Sequence, residues 1–125
     1  MNFTEPRFEL RERALDDRTT VIAVTGEIHV STAPDFSRLL NASIAEGKTA
    51  VVLDLSGVEF IDSTGLSVLL NALRRVTRRG GKMALVCTNP TVLRLFEITR
   101  LDSTFDIQPS VEAAVDRVRS AAQGA

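Results

Sequence analysis

The apolar residues of the chain change repeatedly between two spacings as the sequence is followed from its N-terminus. Short alternating or continuous apolar runs, typical of β-strands, occupy residues 8–11, 20–25, 50–53, 60–61, 83–86 and 105–107. Elsewhere, apolar residues recur every three or four positions, which indicates amphipathic helices. Because helices and strands alternate after the first two strands, we expect an α/β domain with a mostly parallel central sheet, an antiparallel N-terminal hairpin and about four helices packed on it.

The two longest helical patterns have clear boundary signals. The first should begin near Pro34 and end at Gly47, and the second should begin near Gly65 and end at Gly80-Gly81. Their predicted apolar faces are Phe36, Leu39, Leu40 and Ile44 in the first helix, and Leu66, Leu69, Leu70, Leu73 and Val76 in the second. Both faces are wide enough to pack on a sheet.

The remaining boundaries rest on shorter signals. Gly26 should end the second strand, and Ser56-Gly57 predicts a short turn between the run 50–53 and Phe60-Ile61. Pro90 opens a short third helix, and Ser110 is the predicted cap of the fourth. These signals complete the expected order of elements.

Composition places few further limits on the chain. Its 125 residues predict a single domain, with a core over about residues 8–118 and partly flexible termini. The net charge of −1 does not suggest binding to nucleic acid. Residues 1–7 do not resemble a signal peptide, and no apolar run is long enough to span a bilayer. With Cys87 as its single cysteine, the chain is expected to be cytoplasmic. No direct membrane insertion is expected, and a monomer is the default expectation.

The junction between the run 60–61 and the second helix is the most informative segment. Three consecutive residues, Asp62, Ser63 and Thr64, can each cap a helix, although one cap is enough. A helix N-terminus also favours anions, because its free N–H groups and its dipole point toward them. A hydroxyl at this junction is therefore well placed to carry a phosphoryl group, and the alternative is that Ser63 is a plain helix cap.

Other polar residues have simpler interpretations. His29, the single histidine, is expected to be a solvated turn residue rather than a pH sensor. One histidine and one cysteine without ligand spacing predict neither a metal site nor a cofactor. Cys87 is expected to be buried. The arginines at 74, 75, 78 and 79 are expected on a polar helix face near its C-terminus, where cations are favourable.

The sequence gives no support for an enzyme. It has no Gly-x-Ser-x-Gly motif for a serine hydrolase and no Walker-type glycine loop for a nucleotide hydrolase. A serine hydroxyl is a poor nucleophile without a base, and no base is evident for Ser63. If Ser63 is phosphorylated, the ATP, the metal and the base must therefore come from a partner.

At this point the sequence resembles a known family. The segment 54–66, which contains Asp54-Leu55-Ser56 and Asp62-Ser63-Thr64-Gly65-Leu66, is similar to the signature of STAS domains and most similar to that of bacterial anti-sigma factor antagonists. Gly26-Glu27-Ile28, Arg79-Gly80-Gly81-Lys82 and the segment 90–101 also match the family pattern, so the resemblance covers about residues 8–118.

The resemblance implies a mechanism. Ser63 would be the phosphoacceptor, with Thr64 as a secondary candidate, and the kinase would be an anti-sigma factor with a histidine-kinase-like ATPase fold. The unphosphorylated antagonist would bind this partner, which then releases its sigma factor. Phosphorylation would end the complex, and a serine phosphatase would reset it. The phosphorylated loop and partner contact would comprise Asp62, Thr64, Gly65, Leu66, Glu27 and His29. Apart from the resemblance, the missing side chain of Gly65 is expected to leave room for a partner's nucleotide pocket.

One position departs from the family pattern. His29 stands where the family usually has an aspartate that helps to form the partner surface, so an acid is missing beside the expected contact. An alternative function within the same family is a STAS subunit of a membrane transporter or its ATPase, which would act as a binding module without a kinase. The motif at residues 62–65 favours the antagonist.

Overall fold

A computed structural model describes residues 8–45 and 47–123 of the chain. Its strands are β1 (Phe8–Ala14), β2 (Thr19–Ile28), β3 (Ala50–Ile61), β4 (Lys82–Val86) and β5 (Asp106–Gln108). Its α-helices are α1 (Ala33–Ala45), α2 (Ser63–Arg78), α3 (Pro90–Ile98) and α4 (Val111–Gln123), and a short 3₁₀ turn spans Leu101–Ser103. The expectations for residues 1–7 and for the last two residues concern positions outside the described ones.

The five strands form one sheet in the order of the sequence. The edge strand β1 pairs antiparallel with β2, and every later pair is parallel. Since successive parallel strands always advance in the same direction, right-handed crossovers bring α1, α2 and α3 to the same face of the sheet. The fold class predicted from the sequence, a mostly parallel sheet with an N-terminal hairpin and four helices, is confirmed.

The core has a large and a small part on opposite faces of the sheet. The larger cluster joins α1, α2 and α3 to the strands and includes Phe36, Leu40, Leu69 and Phe96, all fully buried. The smaller one joins α4 to the other face, where Val118 packs near β3 and β4 residues. Leu39 was predicted on the buried face of α1, but it remains 37% exposed.

The long strand β3 differs most from its prediction. Ser56-Gly57 does not form a turn, because β3 continues from Ala50 to Ile61. Twice along the β2–β3 pairing, between Ala23 and Thr25 and between Gly26 and Glu27, β3 contributes one more residue than β2. These register shifts are β-bulges, which absorb an irregularity without ending the pairing. For the same reason β2 continues past Gly26, whose φ is 99°.

The turn between β1 and β2 is closed by a single carboxylate. Asp16 Oδ1 accepts hydrogen bonds from the backbone N–H groups of Arg18 (2.9 Å) and Thr19 (2.8 Å). Its other oxygen, Oδ2, accepts a hydrogen bond from the guanidinium of Arg119 in α4 at 2.9 Å. Asp16 therefore joins the N-terminal hairpin to the last helix.

The topology brings three loops together at one edge of the sheet, the edge formed by the carboxyl ends of its parallel strands. The parallel strands β2, β3 and β4 all end at this edge, so the segments that follow Ile28, Ile61 and Val86 are neighbours. Asp62 N–H donates to the carbonyl of Ile28 at 3.1 Å, and the Asn89 amide donates to the carbonyl of Val58 at 3.4 Å. This edge contains the residues singled out in the sequence.

Candidate functional site

Asp62 is the N-cap of α2. Its φ of −110° and ψ of −173° are extended, and its Oδ1 accepts a hydrogen bond from Gly65 N–H at 3.0 Å. The first intrahelical bond runs from Leu66 N–H to the carbonyl of Asp62 at 3.0 Å. The N–H groups of Ser63 and Thr64 therefore remain without an acceptor in the described part of the chain. The helix starts two residues earlier than its predicted beginning near Gly65.

Ser63 and Thr64 occupy the first turn of α2, and both are exposed. Neither hydroxyl makes a hydrogen bond to another residue that the structure describes, whereas the Ser63 carbonyl accepts one from Ser67 Oγ at 3.1 Å. Because Asp62 already caps the helix, the Ser63 hydroxyl is not needed as a cap. The plain-cap interpretation of Ser63 is therefore not what the geometry shows.

Gly65 and Leu66 lie in the interior rather than at the surface. Leu66 is 4% exposed and belongs to the larger core cluster. A Cβ added to Gly65 would lie 2.7 Å from Ile61 Cγ1, 2.8 Å from Ile28 Cγ2 and 3.0 Å from the Ile28 carbonyl oxygen. Gly65 is therefore small because the start of α2 packs directly against the ends of β2 and β3. The expectation that Gly65 leaves room for a partner's nucleotide pocket was wrong, because a side chain at this position would point into the interior.

Glu27 and His29 form a pair at the end of β2. His29 Nε2 lies 3.2 Å from Glu27 Oε1, and His29 Nδ1 accepts a hydrogen bond from Ser31 N–H at 3.1 Å. These contacts match a neutral imidazole whose proton is on Nε2. The side chain of His29 is only 19% exposed, so the prediction of a solvated residue was wrong, although the residue does lie in a turn.

Thr32 holds the turn that carries His29. Its hydroxyl donates to the carbonyl of Glu27 at 2.7 Å and accepts a hydrogen bond from the backbone N–H of His29 at 3.0 Å. In the sequence, Thr32 lies just before the predicted start of the first helix near Pro34. Its buried position, 7% exposed, shows that it fixes the backbone on both sides of the Glu27–His29 pair.

Phe60 is an exposed aromatic residue next to this pair. It pairs in register with Glu27 across the sheet, its ring centroid lies 6.2 Å from that of His29, and it remains 50% exposed. The sequence placed Phe60 in a strand but gave no sign of its exposure. Both β-bulges of β3 precede Phe60, and a bulge changes the face on which the following residues lie.

The segment between β4 and α3 completes this edge of the sheet. Asn89 caps α3 by accepting a hydrogen bond from Thr91 N–H at 2.8 Å, while its amide reaches β3. Cys87 is 3% exposed, as expected, and burial raises the pKa of its thiol. In the segments 8–45 and 47–123, no cluster of three or more His, Cys, Asp or Glu residues is arranged to hold a metal ion.

Comparison with known proteins identifies the class to which this fold and site belong. The family model described as the STAS domain matches residues 11–114. The chain therefore belongs to the STAS domain family, as its signature segment had suggested. Over the described residues, none of the helices is both long enough and apolar enough to cross a bilayer.

Individual relatives are more specific. The chain is 31% identical over 104 residues to a putative anti-sigma factor antagonist of Thermotoga maritima, and the aligned region covers 82% of this chain and 92% of that protein. It is 33% identical over 100 residues to an anti-sigma-B factor antagonist of Listeria monocytogenes, which covers 80% and 86%. The crystal structure of an anti-sigma factor antagonist from Mycobacterium paratuberculosis is similar with a TM-score of 0.83 and 32% identity, over 90% of this chain and 95% of that one.

Proposed function

We propose that this chain is an anti-sigma factor antagonist that binds an anti-sigma factor while Ser63 is unmodified and leaves it when Ser63 is phosphorylated. The observation that carries the proposal is the state of Ser63 in a STAS chain whose relatives bear that name: an exposed hydroxyl at a helix start, with the capping role already filled by Asp62. The family consists of binding regulators, and no catalytic role is assigned to the chain itself.

The geometry favours Ser63 as the acceptor and leaves Thr64 as the secondary candidate. Ser63 follows directly after Asp62, whose backbone is tied to β2 through Ile28, so its position relative to the sheet is fixed. The free N–H groups of the first turn can interact with a phosphoryl group held at this point. A phosphate on Ser63 is therefore compatible with the existing fold.

Phosphorylation would change the charge of the surface rather than its shape. A phosphoserine carries about −1.5 to −2 charges at neutral pH. Here it would lie beside the Asp62 carboxylate, and it would have to be desolvated if a partner covered it. About 1.4 kcal/mol of such repulsion and desolvation lowers affinity tenfold, so a local charge change is sufficient to separate two proteins.

The partner has to supply the chemistry. Phosphoryl transfer depends mainly on positioning and on stabilisation of charge, and the acceptor only has to present its hydroxyl. We therefore assign ATP, the metal ion and the base to an anti-sigma factor of the histidine-kinase-like ATPase type. A separate serine phosphatase would restore the unmodified form.

The test is mass spectrometry of the chain after incubation with ATP, Mg²⁺ and each candidate anti-sigma factor of the same organism. We expect one added phosphate, lost in Ser63→Ala and retained in Thr64→Ala. Ser67→Ala is the matched control, because Ser67 is an exposed serine one turn further along α2. In parallel, the affinity of the phosphorylated chain for the same factor should fall at least tenfold.

Two results would contradict the proposal. One is the absence of modification by every candidate although the chain is folded. The other is a phosphorylated Ser63 form that binds the anti-sigma factor as tightly as the unmodified form. The first result would instead favour a STAS binding module without a kinase.

A further inference from the structure

A groove lies at the opposite end of α2 from Ser63. Its volume is about 710 Å³, which is within the range of sites that hold small molecules. It is lined by the last turns of α2, the beginning of β4, the segment that enters β5 and the later part of α4. These elements meet at the amino ends of the parallel strands, so this amino-end groove is separate from the candidate site at their carboxyl ends.

The amino-end groove exists because β5 is shorter than its neighbour. The strand β4 pairs with β3 from Lys82 onward, but its pairing with β5 begins only at Ala84 and Asp106. The N–H of Lys82 donates to the Thr49 carbonyl on the β3 side at 2.7 Å. Because successive N–H groups along a strand point to opposite sides, the N–H of Met83 points to the other side, where strand pairing offers it no acceptor. The groove therefore contains a backbone donor that a ligand can use.

The base of the amino-end groove is apolar. Met83 is 4% exposed and Val118 is 1% exposed, and Leu73 of α2 lies beside them in the lining. Gly80 keeps the groove open, since a Cβ at this position would meet no atom within 4 Å. An apolar base with a few polar groups above it is the usual composition of a small-molecule site.

Two of the four charged residues in the lining already have partners. Arg117 Nε donates to Asp106 Oδ2 at 2.8 Å, and Asp106 Oδ1 accepts a hydrogen bond from the Gln108 amide at 2.6 Å. The other two, Lys82 and Asp116, are exposed and form no ion pair with any residue in the described ranges. The groove thus presents one ammonium and one carboxylate that a ligand can pair with.

We propose that the amino-end groove binds a small zwitterion, a free amino acid or a short peptide, with its carboxylate at Lys82 and its ammonium at Asp116. Met83 follows Lys82 in the chain, so its N–H can donate to the same ligand carboxylate. An aliphatic side chain of the ligand would lie on the apolar base. The site does not depend on phosphorylation of Ser63 or on an anti-sigma factor.

The charge of the lining favours a zwitterion over a simple ion. Its two cations and two carboxylates give a net charge of zero, so a ligand that carries only one sign of charge meets attraction and repulsion together. Inorganic phosphate could pair with Lys82, but it would be repelled by Asp116 and would leave that carboxylate unpaired. A molecule that carries both charges satisfies both residues.

The experiment is an NMR titration of the isotope-labelled full chain with L-leucine and with the dipeptide leucylglycine. We expect a dissociation constant of about 1 mM or lower for at least one of them, with the largest shifts at the backbone N–H groups of Lys82 and Met83. Isocaproate and isoamylamine carry the same side chain with only one of the two charges, and both should bind about tenfold more weakly, as should inorganic phosphate. Tighter binding of leucine would indicate free amino acids, and tighter binding of leucylglycine would indicate peptides.

Paired variants assign the two charges. Lys82→Met removes the ammonium but keeps an unbranched side chain, and Asp116→Asn removes the charge of the carboxylate. Each should weaken binding of the zwitterion by about tenfold or more. The matched controls are Arg74→Met on α2 and Glu112→Gln on α4, because both residues are exposed and lie outside the groove. These controls should change binding by less than about twofold.

Three results would overturn the inference. The first is that neither leucine nor leucylglycine shifts the resonances of the groove at concentrations up to about 10 mM. The second is that Lys82→Met and Asp116→Asn bind the zwitterion as tightly as the wild type. The third is that isocaproate, isoamylamine or inorganic phosphate binds as tightly as the zwitterion. Should a charge variant fail to fold, Ser120→Phe decides, because Ser120 is an exposed lining residue and a ring at this position should abolish binding by filling the groove.

Discussion

Gly65 shows how a single missing side chain fixes the position of the phosphoacceptor. We expect Gly65→Ala to destabilise the chain by about 1–3 kcal/mol, as is typical of overpacking. Alanine in a helix normally stabilises the folded state by up to about 1 kcal/mol relative to glycine. Here, however, its Cβ would lie within 3.0 Å of the side chains of Ile28 and Ile61. The measurement is urea unfolding followed by circular dichroism.

The control for this prediction is Thr64→Ala. Thr64 is the exposed neighbour of Gly65 in the same helical turn, so its replacement should stay within about 0.5 kcal/mol of the wild type. A Gly65→Ala variant that is as stable as the wild type would show that α2 moves away from the sheet at low cost. The rigid presentation of Ser63 would then lose its structural basis.

At the scale of residues, the sequence predicted the helix start at Asp62-Ser63 better than it predicted the contacts around it. The segment Asp62-Ser63 was identified by its surplus of caps, and the structure shows that one of them, Asp62, is used. The surroundings of His29 were not predictable, because its ring lies beside Phe60, which is distant in sequence and follows the two β-bulges of β3. Local patterns do not reveal contacts that depend on strand register.

At the scale of elements, the sequence predicted their order and type but misread an interruption. Ser56-Gly57 is a common turn signal, yet β3 passes through it as a bulge. A Cβ on Gly57 would lie 2.5 Å from Thr25 Cγ2, so the glycine permits close approach of β2 rather than reversal of the chain. A turn signal indicates irregular backbone, and only the neighbouring strand decides whether the pairing ends there.

The Asp16 turn links two distant elements and should make stability depend on acid pH. Hydrogen bonds from the backbone N–H of Arg18, from the side chain and backbone of Thr19 and from Arg119 lower the pKa of Asp16 from 3.8 to about 2. Because the folded-state pKa is the lower one, the contribution of this carboxylate is complete above about pH 4 and is lost as the pH falls toward 2. The measurement is the free energy of unfolding between pH 5 and pH 2, compared for the wild type and Asp16→Ala.

The variant Asp16→Ala should be less stable than the wild type at pH 5, and the difference should shrink as the pH approaches 2. Arg119→Gln is a useful companion, because it removes only the ionic contact to α4 and leaves both backbone hydrogen bonds to the carboxylate. It should produce the smaller change. A difference between wild type and Asp16→Ala that stays constant over this pH range would contradict the assignment.

At the scale of the molecule, the site lies where the larger core reaches one edge of the sheet. The cluster that includes Ile28, Ile61 and Leu66 continues to Cys87 and Val92, so the three loops of the site rest on a common apolar base. The sequence indicated the buried strands that form this base. It did not show that their ends meet, because that follows from parallel pairing and from crossovers of one hand.

The single cysteine allows the stability of this edge to be measured directly. Cys87 is 3% exposed, and burial raises the pKa of its thiol, so both access and ionisation oppose its reaction. We expect a thiol reagent at pH 8 to modify the native chain on the order of 10³ times more slowly than the unfolded chain, or slower still. In increasing urea, the reaction should accelerate with the same midpoint as the loss of circular dichroism.

A matched probe distinguishes burial from local opening. In a Cys87→Ala, Thr88→Cys variant the thiol moves to the exposed neighbouring position, and it should react rapidly in the native state. If Cys87 of the wild type instead reacts well below the unfolding midpoint, the segment between β4 and α3 opens on its own. The start of α2 rests on the same base through Leu66, so such an opening would mean that the support of Ser63 is not rigid in the free chain.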